Sequence, residues 1–316
     1  MNIEDVLRDT LADMAYEEPP PPPARFLRGT GRRPWPHRAA LAAAAGVAVL
    51  VVGSTVTLQG MAGRQAVPGG PGEAVASTEP HRAGDRVTMK EGLWLSDTVQ
   101  LLAKHTGRPV AEFARAARNG AALGLPAYAK GGPEGFLFPG TYDLSPSSSA
   151  EEILAAMVTR FKRTADDIHL EDAARRLGRT PQEIVIIASI IQAESMDKQT
   201  MPKVARVIYN RLKRKPPMRL QMDSTVLYGL GKHGIEAKLQ DLKSRSKYNT
   251  YAFPGLPPGP IGNPGRDALM AALHPATGPW LQYVLVDPKT GETEFIGSSP
   301  AEMRKLHDLM ESLRGS

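Results

Sequence analysis

The stretch Pro181–Ser195, PQEIVIIASIIQAES, predicts the helix around which the rest of the chain folds. Thr180 is suited to cap this helix, Pro181 fits its first turn, and Glu183 has the spacing that completes a capping box. The residues that follow are apolar on nearly every side of a helical wheel. Because such a helix has no face suited to water, we expect it to be buried in the core.

Glu194 interrupts the apolar surface of this helix near its C-terminal end. Helical spacing places it on the same face as Ile187, Ile190 and Ile191. Burial there raises the pKa of a carboxyl group, and a carboxylic acid with a raised pKa is suited to general acid catalysis near neutral pH. The alternative is a glutamate that reaches into solvent because the helix ends at Ser195–Asp197.

Composition and charge limit the classes of protein to which the chain can belong. Its 316 residues suffice for one large domain or two ordinary ones, and the absence of cysteine excludes disulfides and thiolate catalysis. Residues 1–38 hold six acidic and six basic side chains, so residues 39–316 carry the whole net charge of +6. A basic part of this kind suits an anionic partner such as a nucleic acid, a membrane surface or a wall polymer.

Motifs of several other function classes are missing from the sequence. It has no helix-turn-helix, metal finger or aromatic RNA-binding signature, so no nucleic-acid partner is expected. The histidines are widely spaced and none pairs at the spacing of metal ligands, while a P-loop and a G-x-S-x-G elbow are also absent. We therefore expect neither a metal nor a cofactor.

The segment Ala39–Leu58, AALAAAAGVAVLVVGSTVTL, is uncharged, mostly apolar and long enough to cross a bilayer. Arg32, Arg33 and Arg38 precede it, and the positive-inside rule then places the N-terminus in the cytoplasm. We predict a proline-rich cytoplasmic tail at 1–38, one transmembrane helix at 39–61 in the plasma (inner) membrane, and a flexible linker at 62–84. A cleaved signal peptide and a buried soluble helix are the alternatives.

After the linker, short strand and helix patterns predict an α+β fold. The predicted strands are Arg86–Met89, an edge within Gly135–Leu144, and a hairpin of Leu281–Val286 with Glu294–Ile296. The predicted helices are Ser96–Thr106, Pro109–Ala117, one that follows a capping box of Ser148 and Glu151, Leu170–Leu177, the core helix, Lys203–Lys213, Asp267–Leu273 and Ala301–Leu313. The region Met218–Gly265 is predicted to be polar and rich in loops.

Two stretches of that region are candidate walls of a binding cleft. The first, MRLQMDSTVLYGLG (Met218–Gly231), crowds hydrogen-bonding side chains that suit a polyhydroxylated substrate. The second, SKYNTYAFPGLPPGPIGNPG (Ser246–Gly265), follows aromatic residues with prolines and glycines, which suits a rigid groove wall. An ordinary polar turn is the alternative for the first stretch, and a disordered linker for the second.

Several motifs then occur in one order: EGFLFPGTYDL (Glu134–Leu144), ASIIQAES (Ala188–Ser195), VARVIYNRL (Val204–Leu212), MRLQMDSTVLYGLG, YNTY (Tyr248–Tyr251), GLPPGPIGNPG (Gly255–Gly265) and AALHPA (Ala271–Ala276). Together they resemble the YceG-like, or MltG, family of endolytic murein transglycosylases. The resemblance covers residues 134–286. It implies a membrane-anchored protein that faces peptidoglycan, with a small LysM-like module at 85–133 and a catalytic domain with a loop-walled cleft at 134–316.

The resemblance also implies a reaction. The family cleaves the MurNAc-β-1,4-GlcNAc bond within glycan strands without water, leaves 1,6-anhydroMurNAc ends, and is thought to end nascent strands beside cell-wall synthases or division proteins. The family's catalytic glutamate matches Glu194, whereas Gln192 and Gly140 stand where acidic residues are common in the family. We hypothesise that the sugar is held by Gln221, Asp223, Tyr228, Tyr248 and Asn249.

Two other functions are compatible with the same residues. A hydrolytic muramidase would use the same acid with water in place of the sugar's own hydroxyl. A catalytically weak wall-binding or divisome scaffold would use the cleft only to hold glycan, and the shortened LysM-like region and the altered C-terminal segment favour it.

Overall fold

The computed structural model describes residues 86–315, except 146, 196, 288 and 289. The predicted cytoplasmic tail, transmembrane helix and linker therefore lie outside the described residues. Within the described part, no helix is both long enough and apolar enough to cross a membrane.

The described residues form a mixed fold in which helices outnumber strands. The strands are β1 (Arg86–Met89), β2 (Gly140–Asp143), β3 (Gln282–Asp287) and β4 (Glu292–Ile296). The helices are α1 (Leu95–Thr106), α2 (Val110–Ala116), α3 (Ala150–Asp167), α4 (Leu170–Arg176), α5 (Pro181–Glu194), α6 (Met201–Lys213), α7 (Asp223–Gly229), α8 (Arg266–Leu273) and α9 (Pro300–Gly315). The predicted mixture of helices and strands is confirmed.

One hydrophobic core lies between β1, β2, α1, α2 and one face of α3. Leu102, Phe113 and Leu154 are fully buried in it. β1 and β2 pair antiparallel, with Arg86 opposite Asp143 and Met89 opposite Gly140. Because β1 lies before residue 133 and β2 after it, this sheet joins the predicted module to the predicted catalytic region.

A second core surrounds α5, the helix quoted at the outset. Ile184, Ile187, Ile190 and Ile191 are all fully buried, and α5 packs against α4, α6, α7 and α8. Burial of each such side chain contributes about 1.5–3 kcal/mol to folding. The predicted burial of this helix is confirmed.

The capping boxes show one confirmed prediction and one error. In α5 the Thr180 hydroxyl accepts the Glu183 amide at 3.2 Å, and the Glu183 carboxylate accepts the Thr180 amide at 2.8 Å. In α3 the box is formed by Ser149 and Glu152, so the predicted pair of Ser148 and Glu151 is wrong by one residue. The run SSSAEE permits both registers, and the Ser148 amide is already used in a turn to the Ser145 carbonyl.

The region 218–265 is more regular than its polar composition indicated. It contains the helix α7 and a single 3₁₀ turn at Asp241–Lys243. The region was predicted to be rich in loops, and α7 was not predicted because its seven residues are too few for a clear helical period. The terminal hairpin is close to the prediction: β3 and β4 pair antiparallel, with Tyr283 opposite Phe295.

Candidate active site

The carboxylate of Glu194 is the centre of a hydrogen-bonded cluster at the end of α5. Its Oε1 accepts the Ser224 hydroxyl at 2.6 Å and lies 3.3 Å from the Ser224 amide nitrogen. Its Oε2 accepts the Tyr283 hydroxyl at 2.6 Å, and that hydroxyl also lies 3.1 Å from the Met222 sulfur. Three elements therefore meet at one carboxylate: α5 carries it, while α7 and β3 supply its donors.

The surroundings of Glu194 favour its protonated form. Burial raises the pKa of this carboxyl above its usual value, and the negative charge of Asp223 raises it further. The hydrogen bonds from Ser224 and Tyr283 oppose that shift because they stabilise the carboxylate. As a whole residue, Glu194 is nevertheless only partly buried.

Asp223, at the start of α7, is committed to contacts within the protein. Its Oδ2 accepts the Ala237 amide at 2.8 Å, and its Oδ1 accepts the Tyr251 hydroxyl. The side chain is buried. Asp223 therefore acts on Glu194 through its charge while it ties the 237 and 251 segments to α7.

Asn249 is fully buried and organises the loop around it. Its Nδ2 donates to the carbonyls of Leu242 and Ser244 at 2.9 and 2.7 Å. Its Oδ1 accepts the amides of Tyr251 and Ala252 at 3.0 and 3.3 Å. The structure thus gives all the hydrogen-bonding groups of this amide to the backbone, which suits a structural role better than contact with sugar.

Gln221 has two unusual properties for a residue in this position. Its backbone has φ 49°, a conformation that residues other than glycine rarely adopt, and its amide donates to the Thr250 carbonyl at 3.1 Å. Its side-chain Oε1 is buried and has no hydrogen-bond partner among the described residues. Strained backbone and unsatisfied polar atoms concentrate at functional sites, so Gln221 stays a candidate for substrate contact.

The rings of Tyr228 and Tyr248 pack against each other, with centroids 4.9 Å apart. Tyr228 also meets Trp94 edge to face at 5.1 Å, and its hydroxyl donates to Glu134 Oε2 at 3.0 Å. Trp94, Glu134 and Tyr228 line a cleft of about 1250 Å³, together with Asp97, Gln100 and His233. Because Ser224 and Tyr228 are four residues apart on α7, the Glu194 cluster and this cleft lie on one face of that helix.

Glu134 is a second carboxyl with an altered pKa. The Leu95 amide donates to both of its oxygens, at 3.1 and 3.0 Å, and Tyr228 donates to one. Burial raises the pKa of this carboxyl to about 7, although the hydrogen bonds from Leu95 and Tyr228 act in the opposite direction. Glu134 links the start of α1 to the end of α7.

Metal ligands do not cluster in the described part of the chain. No group of three or more histidine, cysteine, aspartate or glutamate side chains is arranged there to hold a metal ion.

Comparison with known proteins identifies the family. A family model described as the YceG-like family matches residues 71–304. The chain belongs to the YceG-like family. The resemblance predicted from the motifs is thereby confirmed.

Individual relatives of this YceG-like chain carry an informative name. The endolytic murein transglycosylase of Bacillus subtilis (strain 168) is 40% identical over 163 residues, which cover 51% of this chain and 44% of that protein. The endolytic murein transglycosylase of Streptococcus pneumoniae serotype 2 (strain D39) is 28% identical over 184 residues, which cover 57% of this chain and 32% of that protein. The matched segments therefore span less than half the length of these relatives.

A solved structure shows a similar fold. The crystal structure of a YceG-like protein from Listeria monocytogenes matches with a TM-score of 0.62 and 29% sequence identity, and the match covers 70% of this chain and 76% of that chain.

The YceG-like site contains partners of Glu194 that sequence reasoning did not select. Ser224 lies in the polar stretch that the sequence singled out, but nothing there distinguished it from its neighbours. Tyr283 was missed altogether, although strand alternation with buried Gln282 and Val284 puts it on the opposite face of β3. Gln192, where family members often have an acid, accepts the Gly265 amide at 3.0 Å and so joins α5 to the start of α8.

Proposed function

We propose that this chain is an endolytic peptidoglycan lytic transglycosylase and that Glu194 is its catalytic acid and base. The observation that carries the proposal is the single dehydrated carboxyl at the end of α5, with a raised pKa and two donors at 2.6 Å. The names of its relatives, endolytic murein transglycosylase, supply the substrate class.

The reaction divides into two proton transfers at one carboxyl. Protonated Glu194 donates its proton to the glycosidic oxygen as the bond between MurNAc C1 and that oxygen breaks, which leaves an oxocarbenium-like sugar. The resulting carboxylate then accepts the proton of the MurNAc C6 hydroxyl, whose oxygen bonds to C1 and closes the 1,6-anhydro ring. Because the attacking group belongs to the substrate, the step gains the advantage of an intramolecular reaction.

The cluster around Glu194 suits both halves of this cycle. Burial raises the pKa of the carboxyl and so favours the protonated form that the first half requires. The Ser224 and Tyr283 hydroxyls then stabilise the carboxylate that the first half produces. Ordinary glycosidases require a second carboxylate as nucleophile or base, but here the nearby Asp223 is occupied by Ala237 and Tyr251.

We assign substrate contact to Gln221, Tyr228 and Tyr248 among the predicted residues. Gln221 has the unsatisfied oxygen, Tyr228 lines the cleft beside α7, and the Tyr248 ring packs against the Tyr228 ring. Asp223 and Asn249 would hold the neighbouring loops in place, since their polar atoms form hydrogen bonds with backbone groups of those loops.

The experiment that tests the function uses uncrosslinked glycan strands, the wild-type chain and Glu194→Gln, which retains the size of the side chain but cannot act as an acid. Mass spectrometry of the products is expected to show internal cuts with anhydro ends from the wild type only. Reducing ends made only by the wild type would instead support the muramidase. Strands bound but left intact by both proteins would support the scaffold.

We also propose that residues 39–61 anchor the protein in the plasma membrane with the tail in the cytoplasm, on the strength of the apolar segment and its flanking arginines. Because the chain has no cysteine, single cysteines can report topology cleanly. A membrane-impermeant maleimide applied to intact cells is expected to label Ser77→Cys and to leave Thr10→Cys unlabelled. Labelling of Thr10→Cys, or release of the protein from membranes, would contradict the anchor.

Residues 85–133, which hold β1, α1 and α2, are our candidate for the LysM-like module, and their apolar side chains share one core with β2 and one face of α3. We further propose that the protein acts on strands as a glycan polymerase extends them. Adding the wild-type chain to a polymerase reaction is expected to shorten the strands, and adding Glu194→Gln is not.

A further inference from the structure

Arg211 is a buried cation in α6 that the proposed chemistry does not use. Its side chain is only 2% exposed. Burying a guanidinium is costly unless it is paired or fully hydrogen-bonded. Within the described residues no carboxylate forms an ion pair with it, and its Nε and Nη1 donate instead to two backbone carbonyls.

The two carbonyls belong to the two segments that deliver the donors to Glu194. Arg211 Nε donates to the Leu281 carbonyl at 2.6 Å, and Leu281 comes two residues before Tyr283. Arg211 Nη1 donates to the Leu220 carbonyl, and Leu220 comes four residues before Ser224. One planar guanidinium therefore bridges the approach to β3 and the approach to α7.

We propose that Arg211 is a positioning residue of the active site, whose guanidinium locks the Leu220 and Leu281 segments together so that Ser224 and Tyr283 converge on Glu194. This inference rests on the proposed function, because it explains how the donors of the proposed acid are held. Arg211 touches neither substrate nor reacting atoms and acts through the two donors.

Neighbouring side chains of α6 provide a natural comparison. Asn210 donates to the carbonyls of Gly278 and Trp280 at 3.0 and 2.7 Å, and Arg206 donates to the Ala276 carbonyl. These contacts hold the chain before β3 without reaching the α7 side. Among these three side chains of α6, Arg211 is the one that also contacts the segment leading to Ser224.

The charged and titratable groups around Arg211 indicate how its replacement should change the pKa of Glu194. Its charge interacts with Tyr251, Tyr283 and Glu194, and the charge nearest to Glu194 from α7 is Asp223. Removing the bridge weakens the hydrogen bonds that stabilise the Glu194 carboxylate while Asp223 stays in place. The Glu194 carboxyl should then hold its proton to higher pH.

The test compares Arg211→Lys with Arg206→Lys in the full-length chain in detergent. Lysine keeps the charge but has no planar fork to bridge two carbonyls. We expect Arg211→Lys to lower kcat about tenfold to hundredfold, the value of hydrogen bonds to a charged group. The alkaline limb of the pH profile should move to higher pH. Arg206→Lys, which releases a carbonyl far from both donors, should move neither kcat nor the limb.

Two further measurements make the outcome unambiguous. Arg211→Met replaces the buried ion with an apolar side chain, a change that commonly preserves folding, and it removes both the bridge and a positive charge that acts on Glu194. Both losses raise the pKa of Glu194, so the alkaline limb should move at least as far as in Arg211→Lys, which keeps the charge and loses the bridge. Combining Arg211→Lys with Tyr283→Phe should cost less than the product of the two single losses, because both act on the same hydrogen bond.

Carbon-13 NMR of carboxyl-labelled glutamate, with Glu194→Gln identifying the resonance, reads the Glu194 titration without any turnover. An upward shift in both Arg211 variants is expected even if the wild type cuts no strands, which separates this inference from the proposed function. An unmoved Glu194 titration in folded Arg211 variants, an equal effect of Arg206→Lys, or multiplicative losses in the double variant would overturn the positioning role.

Discussion

Replacing Glu134 with glutamine is expected to change how the stability of the fold depends on pH. Glu134 accepts the Leu95 amide and the Tyr228 hydroxyl at about 3 Å, so its carboxyl connects α1 with α7 at the edge of the cleft. Burial raises its pKa from an ordinary 4.5 to about 7. Glutamine has nearly the same shape and keeps a carbonyl for the Leu95 amide, but it cannot ionise.

The direction of the change in unfolding free energy with pH follows from proton binding at Glu134 in the folded and unfolded states. Between pH 4.5 and 7 the folded chain keeps the Glu134 proton while the unfolded chain loses it, so the free energy of unfolding falls as pH rises. At about 1.4 kcal/mol for each pH unit, the loss reaches about 3 kcal/mol above pH 7. The contribution is fully present below pH 4.5. Glu134→Gln removes this dependence, so its stability relative to wild type should improve by about 3 kcal/mol from pH 4.5 to pH 7.5.

Urea unfolding of a fragment that begins at Asp85, followed by tryptophan fluorescence at several pH values, measures this difference. Glu183→Gln is the matched control, because hydrogen bonds from Thr180 and Arg179 lower the pKa of Glu183. Its stabilising effect is lost only as pH falls below the ordinary value, so its difference from wild type should stay constant between pH 5 and 8. A constant difference for Glu134→Gln over the same range would refute the assignment of a dehydrated carboxyl to Glu134.

Three further substitutions separate catalysis from folding. Tyr283→Phe removes a donor to the Glu194 carboxylate, so kcat should fall about tenfold or more and the alkaline limb of the pH–rate profile should move to higher pH. An alkaline limb at unchanged pH would contradict the hydrogen bond from Tyr283 to Glu194. Asn249→Ala removes a buried side-chain amide that bonds to four backbone groups, so the free energy of unfolding, measured with urea, should fall by about 2–4 kcal/mol. Full stability with weaker glycan binding would show instead that Asn249 contacts the sugar. Gln221→Ala should leave the urea midpoint unchanged or higher while kcat/KM on glycan strands drops, and normal turnover would remove it from the site.

The parts of the fold that could be predicted from sequence are those set by local pattern. The apolar run of α5, its Thr180–Glu183 box and its terminal Glu194 are all read within 15 residues, and the structure agrees with each. The capping box of α3 shows the limit of such reading. Ser148 and Ser149 are chemically equal caps, and the choice between them depends on a turn to Ser145 that no periodicity indicates.

The candidate site was only partly predictable because its contacts join distant parts of the chain. Glu194 and Tyr283 are 89 residues apart, and nothing in the alternation of β3 says which element its outer face meets. The type of a polar residue also does not reveal whether its side chain forms hydrogen bonds within the protein or is left for a substrate. Asp223 and Asn249 look like sugar ligands in the sequence, yet in the structure their hydrogen bonds go to the surrounding loops. Gln221 has the same polar character, and its oxygen is left without a partner.

One measurement tests most directly the claim that Glu194 performs both proton transfers without water. Glycan strands are cleaved by the wild-type chain in water enriched in the heavy oxygen isotope, and the new ends are weighed. Anhydro ends that carry no heavy oxygen are expected, because the C6 oxygen of the sugar itself attacks C1. Ends that gain one heavy oxygen each would contradict the claim and show that water is the nucleophile.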